Sequence, residues 1–145
     1  MILSIGPHRI TNASIENIIL DEMLCGVKVD ILYSDPPWGD GNMKYWATLN
    51  KKMTGKSFTP LTYQSLINRI FDLVNKYVSG YVCIETGLRW EQQLISEMQS
   101  RGMSHIKSFL LHYQSGSKMI DNVMVVCGTG EQYNFPFESH DHLLS

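Results

Sequence analysis

The string "VDILYSDPPWGDG", residues 29–41, decides the reading of this chain. Val27 to Tyr33 is a largely apolar run, the composition of a strand covered on both faces, as in a parallel sheet. Pro36 and Pro37 have no N–H to give a ladder, so the strand ends there. An acid, Asp35, stands just before the proline pair, and an indole, Trp38, just after it. The same string is also good turn chemistry, because Asp before Pro-Pro and Gly-Asp-Gly both favour turns.

Working outward, the flanking segments alternate in type. Ile2–Ile5 reads as a short strand closed by Gly6-Pro7, followed by a second short segment, His8 to Thr11. Ile15, Ile18, Ile19 and Met23 recur at helical spacing, with Asn12 or Ser14 as cap and Gly26 as stop. Residues 38–61 contain Gly39, Gly41, Gly55 and Pro60 and read as a long functional loop. The clearest helix runs from Thr62 to Val78, carried by Leu66, Ile67, Ile70, Phe71, Val74 and Tyr77. Tyr81–Glu85 is a predicted strand, Leu88–Arg101 a helix stopped by Gly102, and Ile106–Tyr113 a strand. Gln114–Asp121 reads as a polar loop and Asn122–Cys127 as a last apolar strand. This order predicts an α/β domain over residues 1–130, with a mostly parallel sheet and an antiparallel hairpin at one edge. Residues 131–145 read as an irregular tail.

The chain has 145 residues, enough for one domain with a real core. Its net charge is −2, so any contact with nucleic acid must come from a local patch. No apolar stretch approaches membrane-spanning length, and the first residues do not form a signal peptide, so the expected location is the cytoplasm. Cys25, Cys83 and Cys127 have no metal-ligand spacing and read as buried, reduced thiols. His140 and His142 do not make a convincing metal pair.

In open α/β sheets ligands bind at the carboxyl ends of strands, and Asp35 sits at such an end. An exocyclic amine on a base is a poor nucleophile, because its lone pair is delocalised into the ring. A carboxylate and a backbone carbonyl can each accept one of its N–H bonds and free the lone pair. Asp35 supplies the carboxylate, and proline holds the carbonyl on a stiff frame. Trp38 offers a flat face on which a base can stack.

These residues carry a resemblance. "VDILYSDPPW" is similar to motif IV of the amino-methyltransferases that use S-adenosylmethionine to methylate N6 of adenine or N4 of cytosine. "SGYVCIETGLRWEQQLISEMQSRGMSHIKSFLLHYQSG", "NVMVVCGTG" and "HRITNASIENI" resemble neighbouring segments of the mRNA-adenosine methyltransferase family and its bacterial and phage relatives. The likeness covers about residues 8 to 130, and only Asp35–Trp38 is a specific motif. It implies a truncated class I methyltransferase-like, Rossmann-like fold and adenine-N6 methylation of DNA or RNA. Asp35, Pro36, Pro37 and Trp38 would be the catalytic group, with the target base flipped out or single-stranded.

The resemblance also implies a cofactor pocket, which the sequence does not complete. Neither a Gly-rich turn after a strand nor the acid that would hold the ribose is found; Gly128-Thr129-Gly130 is a weak signal. Where permuted family members carry a cofactor-touching Asp before motif IV, this chain has Asn12-Ala13-Ser14. Asn12 and Asp35 are therefore the candidate cofactor contacts, and for Asn12 the helix cap is the stronger reading. The pocket is expected to need a second copy or a different subunit; the alternative is a non-catalytic subunit that binds nucleic acid or a partner. A sheet without its usual strands exposes an edge, which favours a homo-oligomer or a heteromer.

Lys44, Lys51, Lys52, Lys56 and Arg69 interleave with Tyr45, Trp46 and Phe58, with no acid from Gly41 to Phe71. Basic and aromatic residues beside the Asp35 motif suit phosphate contact and base stacking, and equally suit a solvated surface. Glu85, His112 and Tyr113 end strands that can face the same crevice, and Trp90 is expected to pack its helix on the sheet.

Overall fold

The computed structural model describes residues 2–130. The expected C-terminal tail, with His140 and His142, lies outside the described residues. The chain opens with a hairpin of β1 (Ile2–Ile5) and β2 (His8–Thr11), turning at Gly6-Pro7. A one-turn helix α1 (Asp21–Leu24) leads to β3 (Val29–Ser34). Then come α2 (Gly39–Thr54), α3 (Tyr63–Tyr77) and β4 (Val78–Gly87). A short 3-10 turn, Leu88–Trp90, enters α4 (Glu91–Ser100), and β5 (His105–Ser115) and β6 (Lys118–Thr129) follow. None of these helices is long and apolar enough to cross a membrane.

The domain is α/β, and its main sheet has the order β3-β4-β6-β5. The expectation of a mostly parallel sheet is corrected: only β3 and β4 run parallel, and β6 is antiparallel to both β4 and β5. The cause is the tight turn between β5 and β6, which obliges them to run in opposite directions. Because β6 then inserts between β4 and β5, it reverses two pairings, not one. Val123 to Thr129 is buried throughout, as an interior strand requires, while β5 is only part-buried at the edge. The supposed loop Gln114–Asp121 is mostly strand, with the turn at Ser115–Lys118.

The core lies on one face of this sheet. Leu66, Ile67, Ile70, Phe71 and Val74 of α3 pack with Leu94 and Met98 of α4 against Val82, Ile84 and Val126. The α3 start is firmly held: Thr62 Oγ1 accepts the Ser65 N–H at 3.1 Å, and Asp40 Oδ1 accepts the Tyr63 N–H at 2.7 Å. Cys83 and Cys127 face each other across β4 and β6, whereas Cys25 is exposed, against expectation.

Three further expectations are corrected. The periodic stretch from Ile15 to Met23 makes only α1, because Arg69 takes the carbonyls of Ile15 and Ile18, each at 2.8 Å. Arg69 is thus a structural anchor and not part of a free basic surface. Residues 39–54 are helix and not loop: Gly39 and Gly41 fall in the first turn, where a glycine disturbs little. Gly55, at φ 72°, closes the helix with its N–H on Lys51 O at 2.9 Å. Finally β3, whose sequence suits an interior strand, lies at the sheet edge with Ile31 and Tyr33 exposed.

Arg69→Ala removes two charge-assisted bonds to backbone carbonyls and is expected to cost about 2 kcal/mol. Lys44→Ala, on the exposed side of α2, is expected to stay within about 0.5 kcal/mol of the wild type. Urea unfolding of both variants checks the contrast.

Candidate functional site

The proline pair ends β3 and turns the chain into α2, leaving Asp35 at the carboxyl end of the strand. Asp35, Pro36, Pro37 and Trp38 line a cleft of about 380 Å³. Glu85 from the end of β4, Tyr113 from β5, and Asn42 and Trp46 from α2 complete it. The volume suits one flat heterocycle. Asp35 is exposed in this cleft, and no described residue holds its carboxylate in a hydrogen bond or ion pair. Pro36 beneath it is buried.

The two carboxylates of the cleft differ in their surroundings. Glu85 accepts a hydrogen bond from the Tyr33 hydroxyl, two residues before Asp35 and on the same face of β3. Desolvation of that hydroxyl, then its bond to Glu85 and the charges of Glu85 and Asp35, hold Tyr33 protonated well above the usual phenol range. Glu85 is engaged, and Asp35 is left free to accept.

Trp38 and Trp90 are set by two glycines. A Cβ at position 87 would lie 3.2 Å from Trp38 Cε3, so the indole rests on the bare backbone of β4. Gly39 has φ 81°, and a Cβ there would come 2.5 Å from Trp90 Cζ2. Trp90 also meets Tyr63, ring centroids 5.5 Å apart, so it packs α4 and its 3-10 entry against α2 and α3. The Trp38 Nε1 atom is buried with no hydrogen-bond partner among the described residues. Trp38 separates the first cleft from a second of about 690 Å³, which includes Asp40, Arg89, Trp90 and Asn122.

The basic and aromatic residues lie on and just after α2. Lys44, Tyr45, Trp46, Lys51 and Lys52 are exposed on the helix, and Lys56 follows its Gly55 cap. At 100° per residue, Asn42, Tyr45, Trp46, Leu49 and Met53 share one side. Only Trp46 of the expected nucleic-acid set lines the Asp35 cleft; its Nε1 donates to Asn42 Oδ1 at 3.0 Å, and its ring meets Tyr45 edge-on at 5.5 Å. At the same spacing Lys44 and Lys51 lie on the opposite side of α2 and Lys52 at its margin, and none of the three lines the cleft. Asn12 is exposed and is not among the cleft-lining residues. Glu85 and Tyr113 join the cleft, as their strand-end positions allow; His112 does not. Sequence reasoning missed Tyr33 and Asn42. The signals were there: Tyr33 is two residues from Asp35 along a strand, and Asn42 is four residues before Trp46 along a helix.

Similarity to known proteins adds nothing to this geometry: no family model matches the chain, and no curated protein is a significant match.

Gly39→Ala combines a left-handed backbone with a collision against Trp90 and is expected to cost roughly 2 kcal/mol or more. Thermal unfolding followed by tryptophan fluorescence measures it. Tyr33→Phe is expected to cost up to about 1 kcal/mol at neutral pH, since the bond to Glu85 is partly exposed. The folded pKa of Tyr33 lies above its unfolded value, so this contribution is complete below about pH 10 and fades as pH rises through the folded pKa. Denaturation of wild type and variant at pH 7 and at alkaline pH reads the difference.

Proposed function

We propose that this chain is the amine-gripping part of a nucleic-acid amino-methyltransferase, with N6 of adenine as its target and S-adenosylmethionine as its methyl donor. One observation carries the reading: the unpaired Asp35 carboxylate at a strand tip, beside the rigid Pro36-Pro37 backbone and an aromatic-walled cleft. Asp35 accepts one N–H of the amine and the Pro36 carbonyl the other, which draws the nitrogen lone pair out of the ring. Trp38, Trp46 and Tyr113 supply the apolar walls for a stacked base. Of the α2 lysines, Lys52 borders the Trp46 side of the helix and is the one placed to meet a phosphate beside the base.

The described residues fit the base and not the cofactor. Glu85 is already held by Tyr33, Asn12 lies outside the cleft, and β3 has no neighbour on its outer side to carry a cofactor-binding turn. On this reading another chain completes the cofactor pocket. The same mismatch favours a second reading, a binding or assembly subunit without methyl transfer.

Transfer of a labelled methyl group to adenine-containing DNA and RNA, measured with the chain alone and with candidate partners, separates the readings. Asp35→Ala is expected to reduce transfer by at least a hundredfold while leaving nucleic-acid binding within a factor of a few. Unchanged transfer would rule out the assigned chemistry. Absence of transfer with every partner, together with salt-dependent binding weakened by replacing Lys51 and Lys52, would favour the second reading.

A further inference from the structure

β3 pairs with β4 on one side and with no strand on the other among the described residues. Ile31 is 58% exposed, and Val27, just ahead of the strand, is 68% exposed. An open edge bearing apolar side chains is a template for a further strand. What strand it fits is written in residues 27–31, Val-Lys-Val-Asp-Ile. Laid antiparallel against a copy of itself about Val29, this segment is self-complementary: Val27 faces Ile31, Lys28 faces Asp30, and Val29 faces Val29. Lys28 and Asp30 are exposed, and neither enters an ion pair among the described residues.

The charges also fix the register. A slip of one residue opposes side chains that point to different faces of the pleat. A slip of two, in either direction, brings Asp30 against Asp30 or Lys28 against Lys28 on the axis. Of these registers only the Val29-centred one avoids both faults; an Ile31-centred one also avoids them but sets Asp30 against Leu32 and Lys28 against Ser34, leaving both charges unpaired. We propose that β3 is a dimer interface: a second copy of this chain adds antiparallel along residues 27–31 and joins two four-stranded sheets into one. The interface is isologous, as a two-fold dimer requires. The paired segment ends before Asp35. This inference does not depend on the methyltransferase reading.

Sedimentation velocity on the full chain over a concentration series tests it. The wild type is expected to dimerise with a dissociation constant on the order of micromolar. Asp30→Lys makes two Lys–Lys pairs across the axis, and Lys28→Asp makes two Asp–Asp pairs. Each is expected to weaken association roughly tenfold or more. The double variant Lys28→Asp/Asp30→Lys restores complementarity and is expected to dimerise as the wild type does. An equimolar mixture of the two single variants is expected to form a heterodimer. Circular dichroism confirms that these exposed positions leave the fold intact. A wild type that stays monomeric would overturn the inference and make Lys28 and Asp30 guards against edge pairing. A dimer indifferent to the single variants, or not restored by the double one, would overturn it equally.

Discussion

A proline pair cannot donate to a ladder, and the rest of the site is built on that constraint. Pro36 and Pro37 end β3 where the sheet meets solvent, and Trp38 drops onto the backbone of β4 at Gly87. The chain must then reverse at once into α2, which only a residue at ease with positive φ allows; Gly39 is that residue. The bare backbone of Gly39 in turn accepts Trp90. Two indoles on two glycines thus weld the tip of β3, the start of α2 and the end of β4 into one unit. Asp35 is left over, held in place by its neighbours yet bonded to none of the described ones.

This arrangement explains a division of labour between polar groups that the sequence presents as similar. Asp35, Asp40 and Glu85 all sit near strand or helix ends. Asp40 is consumed by the Tyr63 N–H, where it helps start α3. Glu85 is consumed by the Tyr33 hydroxyl. Arg69 is consumed by two carbonyls of the segment before α1. Of these three acids only Asp35 is left without a bond to a described residue.

Much of the fold was legible because its signals are local. The α3 helix shows six apolar residues in register, and β4, β5 and β6 are apolar runs between glycines. The end of β3 is announced by Asp-Pro-Pro. The failures came where long-range contacts decide. Nothing local says that Arg69 will take the carbonyls of Ile15 and Ile18, so the helix predicted there shrinks to one turn. Gly39 and Gly41 look like loop residues until their place in a first turn is known, and Gly55 was a cap read as part of the loop. Strand direction was also misread, since alternation of strands and helices does not reveal that the last strand slips inside the sheet. In the site, Asp35 to Trp38 could be read directly. Tyr33 and Asn42 needed the periodicities of the elements that carry them.

The position of β6 sets an order of assembly. Among the described residues it is the last strand of the sheet in sequence, yet it lies between β4 and β5 and makes the sheet contacts that join them. While the chain emerges from a ribosome, β4 and β5 cannot be stitched together until residues near Thr129 are free. Until then the buried apolar run of β6 has no home, and β4 keeps one side unpaired. Glu85 on β4 and Tyr113 on β5 line the cleft at Asp35 from the two sides of β6, so it acquires its far wall in the closing step of folding.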